Sequence, residues 1–90
     1  RPVLVVQANP FNSSKISTVV VVVVTSNLAL AAAPGNVRIT KSDSGLPKAS
    51  VLNVSQILTL DRSLLTARIK SLPGKVMEQI NEGLQLVLGL

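Results

Sequence analysis

The chain has no cysteine, histidine, tryptophan or tyrosine, and Phe11 is its only aromatic residue. Each absence excludes a class of chemistry. Without thiols there are no disulfides, and without thiols or imidazoles the usual zinc and iron–sulfur ligand sets are missing. Nucleophilic catalysis by a Ser-His-Asp or Cys-His arrangement is excluded for the same reason. Acids are scarce as well. Asp43, Asp61, Glu78 and Glu82 are the only four carboxylates against nine Lys and Arg, so an acidic metal cluster is not expected, and neither is any cofactor. Base stacking, the usual grip on single-stranded nucleic acid, has only Phe11 to draw on.

What is present is aliphatic. Apolar residues make up 47% of the 90 positions, enough for one globular domain with a modest core. The most distinctive stretch is Ile16 to Asn27, with six consecutive valines at Val19–Val24 followed by Thr25-Ser26-Asn27. β-Branched residues lose χ1 freedom in a helix and pack well on a pleated sheet. The run therefore reads as a strand, and its lack of polar alternation predicts cover on both faces. Neither apolar run approaches the ~20 residues a membrane helix needs. A faint likeness of Lys15 to Ala33 to a signal peptide is broken by the polar triplet, so a cytoplasmic location without membrane contact is expected.

Around this strand the chain reads as follows. Pro2–Gln7 is a short apolar strand, and Ala8–Ser14 carries loop chemistry in Asn9-Pro10 and Asn12-Ser13-Ser14. The polar connection suggests that the first two strands pair antiparallel. Leu28–Ala33 suits one helical turn, stopped by Pro34-Gly35. Asn36–Thr40 alternates as a half-exposed strand, Lys41–Lys48 is a turn, and Ser50–Leu60 is β with a bend near Ser55-Gln56. Asp61 can cap a turn through Arg62 and Ser63. Leu65–Leu72 reads as a further strand. From Pro73 the period becomes helical, with Val76, Met77, Ile80, Leu84, Val87 and Leu88 on one face. Gly83 weakens that helix by about 1 kcal/mol relative to Ala. The fold class is mostly β with a C-terminal helix: about five strands in a small antiparallel barrel.

The net charge of +5 suits an anionic partner, although it also serves simply to keep a valine-rich protein soluble. The remaining reactive groups suit charge stabilisation at a phosphate. Arginine offers a planar fork of donors matched to two phosphate oxygens, and a neighbouring hydroxyl can donate to a third. If the first two strands are antiparallel neighbours, Arg1 and Thr25 meet at one rim of the sheet. The plainer reading makes Arg1 a solvated terminal charge and Thr25-Ser26-Asn27 a polar turn. Lys41, Lys48, Arg38, Arg68 and Lys70 read first as solvated faces and second as a phosphate-tracking surface. Asn53 and Gln56, polar in an apolar run, read first as hydrogen-bonded partners of a neighbouring strand, and Gln56 second as a substrate contact.

These residues also carry a resemblance. Arg-Pro-Val-Leu-Val-Val at 1–6, Asn-Pro-Phe-Asn at 9–12, Val-Thr-Ser-Asn at 24–27, Ala-Ala-Pro-Gly-Asn-Val at 32–37, Gly-Leu-Pro-Lys-Ala-Ser-Val at 45–51, Asn-Val-Ser-Gln-Ile-Leu-Thr-Leu-Asp at 53–61 and the final Leu-Val-Leu-Gly-Leu resemble, in order, the MazF/PemK toxins. The resemblance implies an SH3-like barrel of the CcdB/PemK type. It also implies a homodimeric, metal-independent endoribonuclease that cleaves single-stranded RNA and is neutralised by an acidic antitoxin. The family's catalytic Arg and Thr would fall on Arg1 and Thr25, with Ser26, Asn27, Lys41, Lys48 and Gln56 as substrate contacts. The family begins with a further strand and a Gly-Ser-Glu-containing loop, so an N-terminally incomplete domain over 1–90 is expected. Two other readings are a CcdB-like gyrase poison and an inactive RNA- or antitoxin-binding relic. The first is disfavoured by an ending, Leu88-Gly89-Leu90, that lacks tryptophan.

Overall fold

The computed structural model describes residues 2–6 and 15–90. Its elements are β1 (Val3–Val5), β2 (Thr18–Thr25), a 3₁₀ turn (Leu28–Ala32), β3 (Val37–Ile39), a one-turn helix α1 (Lys41–Ser44), β4 (Ser50–Asp61), a second 3₁₀ turn (Arg62–Leu64) and the helix α2 (Gly74–Leu88). The strands form one sheet in the order β1-β2-β4-β3, and every pairing is antiparallel. The result is a half-barrel with α2 packed against it.

The valine strand lies inside this sheet, between β1 and β4. Val21, Val22 and Val23 are each at most 1% exposed, and Val19 and Val24 are also buried. That is the two-faced cover expected of a β-branched run without alternation. On one face Val22 and Val24 join Val37, Ile39 and Leu52, and α2 closes the cluster with Val76 and Ile80. Val76, Ile80 and Gly83 are the buried positions of the helix, spaced four and three residues apart so that they form one stripe.

At Gly83 the backbone of α2 lies against the backbone of the Gly35 turn. A Cβ there would stand 2.1 Å from the Gly35 carbonyl oxygen, a separation no pair of non-bonded atoms tolerates. Gly35 itself has φ +83°, a left-handed conformation glycine adopts without steric cost. Two glycines thus let a helix and a turn touch backbone to backbone.

β4 is not regular along its length. Opposite the adjacent pair Val22 and Val23, its partners jump from Ile57 to Asn53, leaving Val54, Ser55 and Gln56 as a bulge. The bend expected at Ser55-Gln56 falls within it. Asp61 caps the following turn, its carboxylate accepting the Ser63 N–H at 2.9 Å.

Four strands are present among the described residues rather than five, because 65–72 forms no strand. Only Leu72 in that segment is half-buried and the rest are exposed, so apolar–polar alternation met neither a core nor a ladder partner. The segment is held instead by side-chain bonds: Lys70 Nζ donates to the Ser42 carbonyl of α1, 28 residues earlier, and the Arg68 guanidinium donates to Ser71 Oγ within the segment. Pro73 occupies the position just before α2, without a side-chain cap bond. Val87 and Leu88, expected on the core face, are 41% and 56% exposed; the helix residues packed against the core end at Leu84. Within the expected turn 41–48, Thr40 caps α1 by accepting the Asp43 N–H at 3.0 Å. Among the described residues no helix is long and apolar enough to cross a membrane.

Candidate functional site at the end of the valine strand

Val3 lies opposite Val23, and the Val24 N–H donates to the Pro2 carbonyl at 3.1 Å. The start of β1 and the end of β2 therefore share one rim of the sheet, as antiparallel pairing requires. Arg1, the expected cation of this rim, lies outside the described residues, as does Phe11. Thr25 is the last residue of β2 and is half-buried. It pairs with Val51 and, by strand alternation, faces away from the Val22–Val24 cluster that α2 covers.

The Thr25 hydroxyl has a defined orientation. Its oxygen accepts the Asn27 N–H at 3.2 Å, and among the described residues its proton has no acceptor, so it can donate to a ligand. Asn27 is exposed, and its side-chain oxygen caps the first 3₁₀ turn by accepting the Ala29 N–H at 3.2 Å. Of the expected contact residues, Asn27 is thus partly committed to its own turn. Ser26 stands exposed between the two.

Asn53 and Gln56 do not reach a neighbouring strand. Asn53 Nδ2 donates to Gln56 Oε1 at 3.1 Å, and Ser55 Oγ donates to Asn53 Oδ1 at 2.7 Å. The β4 bulge folds these side chains onto one another, so the buried Asn53 is satisfied from its own strand. Gln56 remains exposed with its amide nitrogen available. Asn53 pairs with Val23, two residues before Thr25, which puts both side chains on one face of the sheet. The sequence pattern suggested a bend at Ser55-Gln56 but not the three-residue bulge or the bonds within it. The bulge's only signal was three polar residues, Asn53, Ser55 and Gln56, inside an otherwise apolar strand.

Lys41 opens α1 and Lys48 lies in the turn before β4, both exposed. The four carboxylates are dispersed, and among the described residues no three acids come together as a cation site. An open hollow of about 410 Å³ lies elsewhere, between Gly35–Arg38 and the Gln79, Glu82, Gly83 and Leu86 side of α2. Of the cations read as a phosphate-tracking surface it includes Arg38 alone, and it includes none of Thr25, Ser26, Asn27, Lys41, Lys48 and Gln56.

The model of the PemK-like, MazF-like toxins of type II toxin–antitoxin systems matches residues 1–88. The chain belongs to this family. It is 47% identical over 90 residues to Mycobacterium tuberculosis endoribonuclease MazF6, covering all of this chain and 79% of that protein. Bacillus subtilis endoribonuclease EndoA is 34% identical over the same span, with 77% of its length covered. Among solved structures, the M. tuberculosis toxin MazF-mt6 superimposes over 100% of this chain and 87% of that one with a TM-score of 0.88 at 20% identity, a likeness of fold. A mycobacterial endoribonuclease in complex with its cognate antitoxin matches with a TM-score of 0.83 at 29% identity, covering 99% of this chain and 81% of that one. The half-barrel with its C-terminal helix is thus the CcdB/PemK fold.

Proposed function

We propose that this toxin is an endoribonuclease that cleaves single-stranded RNA without a metal ion, and that Arg1 and Thr25 carry the reaction. The observation that supports it best is the oriented Thr25 hydroxyl at the rim shared by β1 and β2, in a chain related to proteins named endoribonucleases. Arg1 is bonded to Pro2, whose carbonyl is held at that rim.

RNA supplies its own nucleophile. The ribose 2′-hydroxyl loses its proton and its oxygen bonds to the adjacent phosphorus. The bond to the 5′-oxygen then breaks and that oxygen takes up a proton, leaving a cyclic phosphate and a 5′-hydroxyl. The protein must align the attack and stabilise the charge gathering on the phosphoryl oxygens. Arginine, cationic at any pH below about 12, serves the charge with two parallel donors. The free proton of the Thr25 hydroxyl serves a third oxygen. Gln56 Nε2, Ser26 and the free amide protons of Asn27 would contact bases or phosphates, and Lys41 and Lys48 would track the backbone. We further assign a homodimeric state and control by an acidic antitoxin, which the net charge of +5 would attract.

The test is incubation with a long single-stranded RNA, with and without EDTA, followed by analysis of the fragment ends. Cyclic phosphate and 5′-hydroxyl ends in both arms are expected. Thr25→Ala is expected to lower the rate at least 100-fold, about the loss of one transition-state donor, with an unchanged circular dichroism spectrum. Cleavage by Thr25→Ala at the parent rate would remove Thr25 from the site. Cleavage abolished by EDTA would overturn the metal-free reading.

A further inference from the structure

Asn36 joins two parts of the fold that are distant in sequence. Its Nδ2 donates to the Leu30 carbonyl at 2.8 Å, and its Oδ1 accepts the Val54 N–H at 3.0 Å across 18 residues. Val54 is fully buried at the head of the β4 bulge, so its N–H has no recourse to water and needs this acceptor. Leu30 in turn donates its N–H to the Asn27 carbonyl at 3.2 Å, and the Asn27 N–H donates to Thr25 Oγ1. A single line of hydrogen bonds therefore runs from Val54 through Asn36, Leu30 and Asn27 to the Thr25 hydroxyl. At its far end Asn36 follows Gly35, the residue on which α2 rests through Gly83.

We infer that Asn36 is a positioning residue for the Thr25 corner, a clamp that fixes the 3₁₀ turn after Thr25 against the β4 bulge. Only a short amide suits the place. It supplies one donor and one acceptor from a single planar group, and at this distance from the backbone Gln would be a methylene too long. Among the described residues the bond from Asn27 is the one that holds the Thr25 hydroxyl, so the setting of its oxygen depends on where the turn is held. Groups that act on a reacting centre need such support to stay within about half an ångström of the productive geometry. The catalytic half of this inference rests on the reading of Thr25 given above; the structural half does not.

Two substitutions separate the jaws of the clamp. Asn36→Ala removes both bonds. Asn36→Asp keeps an acceptor for Val54 but turns an oxygen toward the Leu30 carbonyl. Amide hydrogen exchange reads the clamp directly. In Asn36→Ala the Asn27, Leu30 and Val54 amides are expected to exchange at least 10-fold faster, with Val22 and Ile80 unchanged. In Asn36→Asp only Asn27 and Leu30 are expected to accelerate. On a short RNA carrying one mapped cleavage site, both variants are expected to lose about 10- to 100-fold in kcat, the scale of an ångström's misplacement, with KM within threefold. Ile80→Val serves as a stability control and is expected to keep its kcat, measured for all variants well below their unfolding temperatures. Unchanged exchange at Asn27 and Leu30 in both Asn36 variants would overturn the clamp. Faster exchange with unchanged kcat would overturn its catalytic role. If the parent chain cuts no RNA, the functional reading fails and exchange alone decides the clamp.

Discussion

Gly83 shows how one residue changes meaning between sequence and structure. In a helical pattern it is a weak point, costing about 1 kcal/mol against alanine. In the fold it is a contact, with room for nothing larger than hydrogen before the Gly35 carbonyl. Gly83→Ala is therefore expected to destabilise, because overpacking against backbone costs about 1–3 kcal/mol and outweighs the gain in helix propensity. A urea unfolding midpoint below the parent's is the expected result, and a higher one would mean that α2 can shift away. Thr25 could be placed from sequence because strand direction alone decides which ends meet. The bond from Asn27 that orients its hydroxyl could not, since it depends on the angle at which the chain leaves β2. The same holds for Asn36, which reads in sequence as the first residue of a strand and acts in the fold as a bridge across 18 residues.

Among the elements, β2 was the most legible. Six valines leave little choice of backbone, and burial on both faces follows from their uniformity. Val22→Thr tests that burial, since it keeps the β-branched shape and adds a hydroxyl with no partner. A loss of about 1–3 kcal/mol is expected from thermal or urea unfolding, and a neutral effect would mean that water reaches Val22. The turn after β4 was legible through its cap. The Ser63 backbone N–H, and then its hydroxyl, hold the Asp61 carboxyl below its ordinary range. A lowered folded-state pKa means that the ionised cap stabilises above the usual carboxylate range and that this contribution fades as pH falls through the lowered value. The difference in melting temperature between the parent and Asp61→Ala is accordingly expected to be largest near neutral pH and to shrink in acid. A difference that grows on acidification would reverse the assignment. The segment 65–72 was misread because alternation reports a strand only where a ladder partner and a core await it. Here Lys70 reaches the Ser42 carbonyl of α1 and Arg68 bonds Ser71 instead.

For the molecule as a whole, the excess of nine cations over four acids bears on binding rather than on fold. If Lys41 and Lys48 touch phosphates, each Lys→Ala substitution is expected to weaken RNA binding at low salt. Each should also flatten the plot of log affinity against log salt by about 0.7, the contribution of one phosphate on a single strand. A fluorescence titration at several salt concentrations, on the Thr25→Ala variant so that the RNA stays intact, measures both. An unchanged slope would return that lysine to the solvated surface.

Sequence by itself determined which reactive side chains the chain lacks, the order of most elements and the buried strand. Those follow from which side chains exist and from local periodicity, both carried by neighbours along the chain. Tertiary structure alone decided the β4 bulge, the glycine contact between α2 and the Gly35 turn, and the line of hydrogen bonds ending at Thr25. Each of these joins groups far apart in sequence, and their partners are chosen by how the sheet curls and where the helix comes to rest.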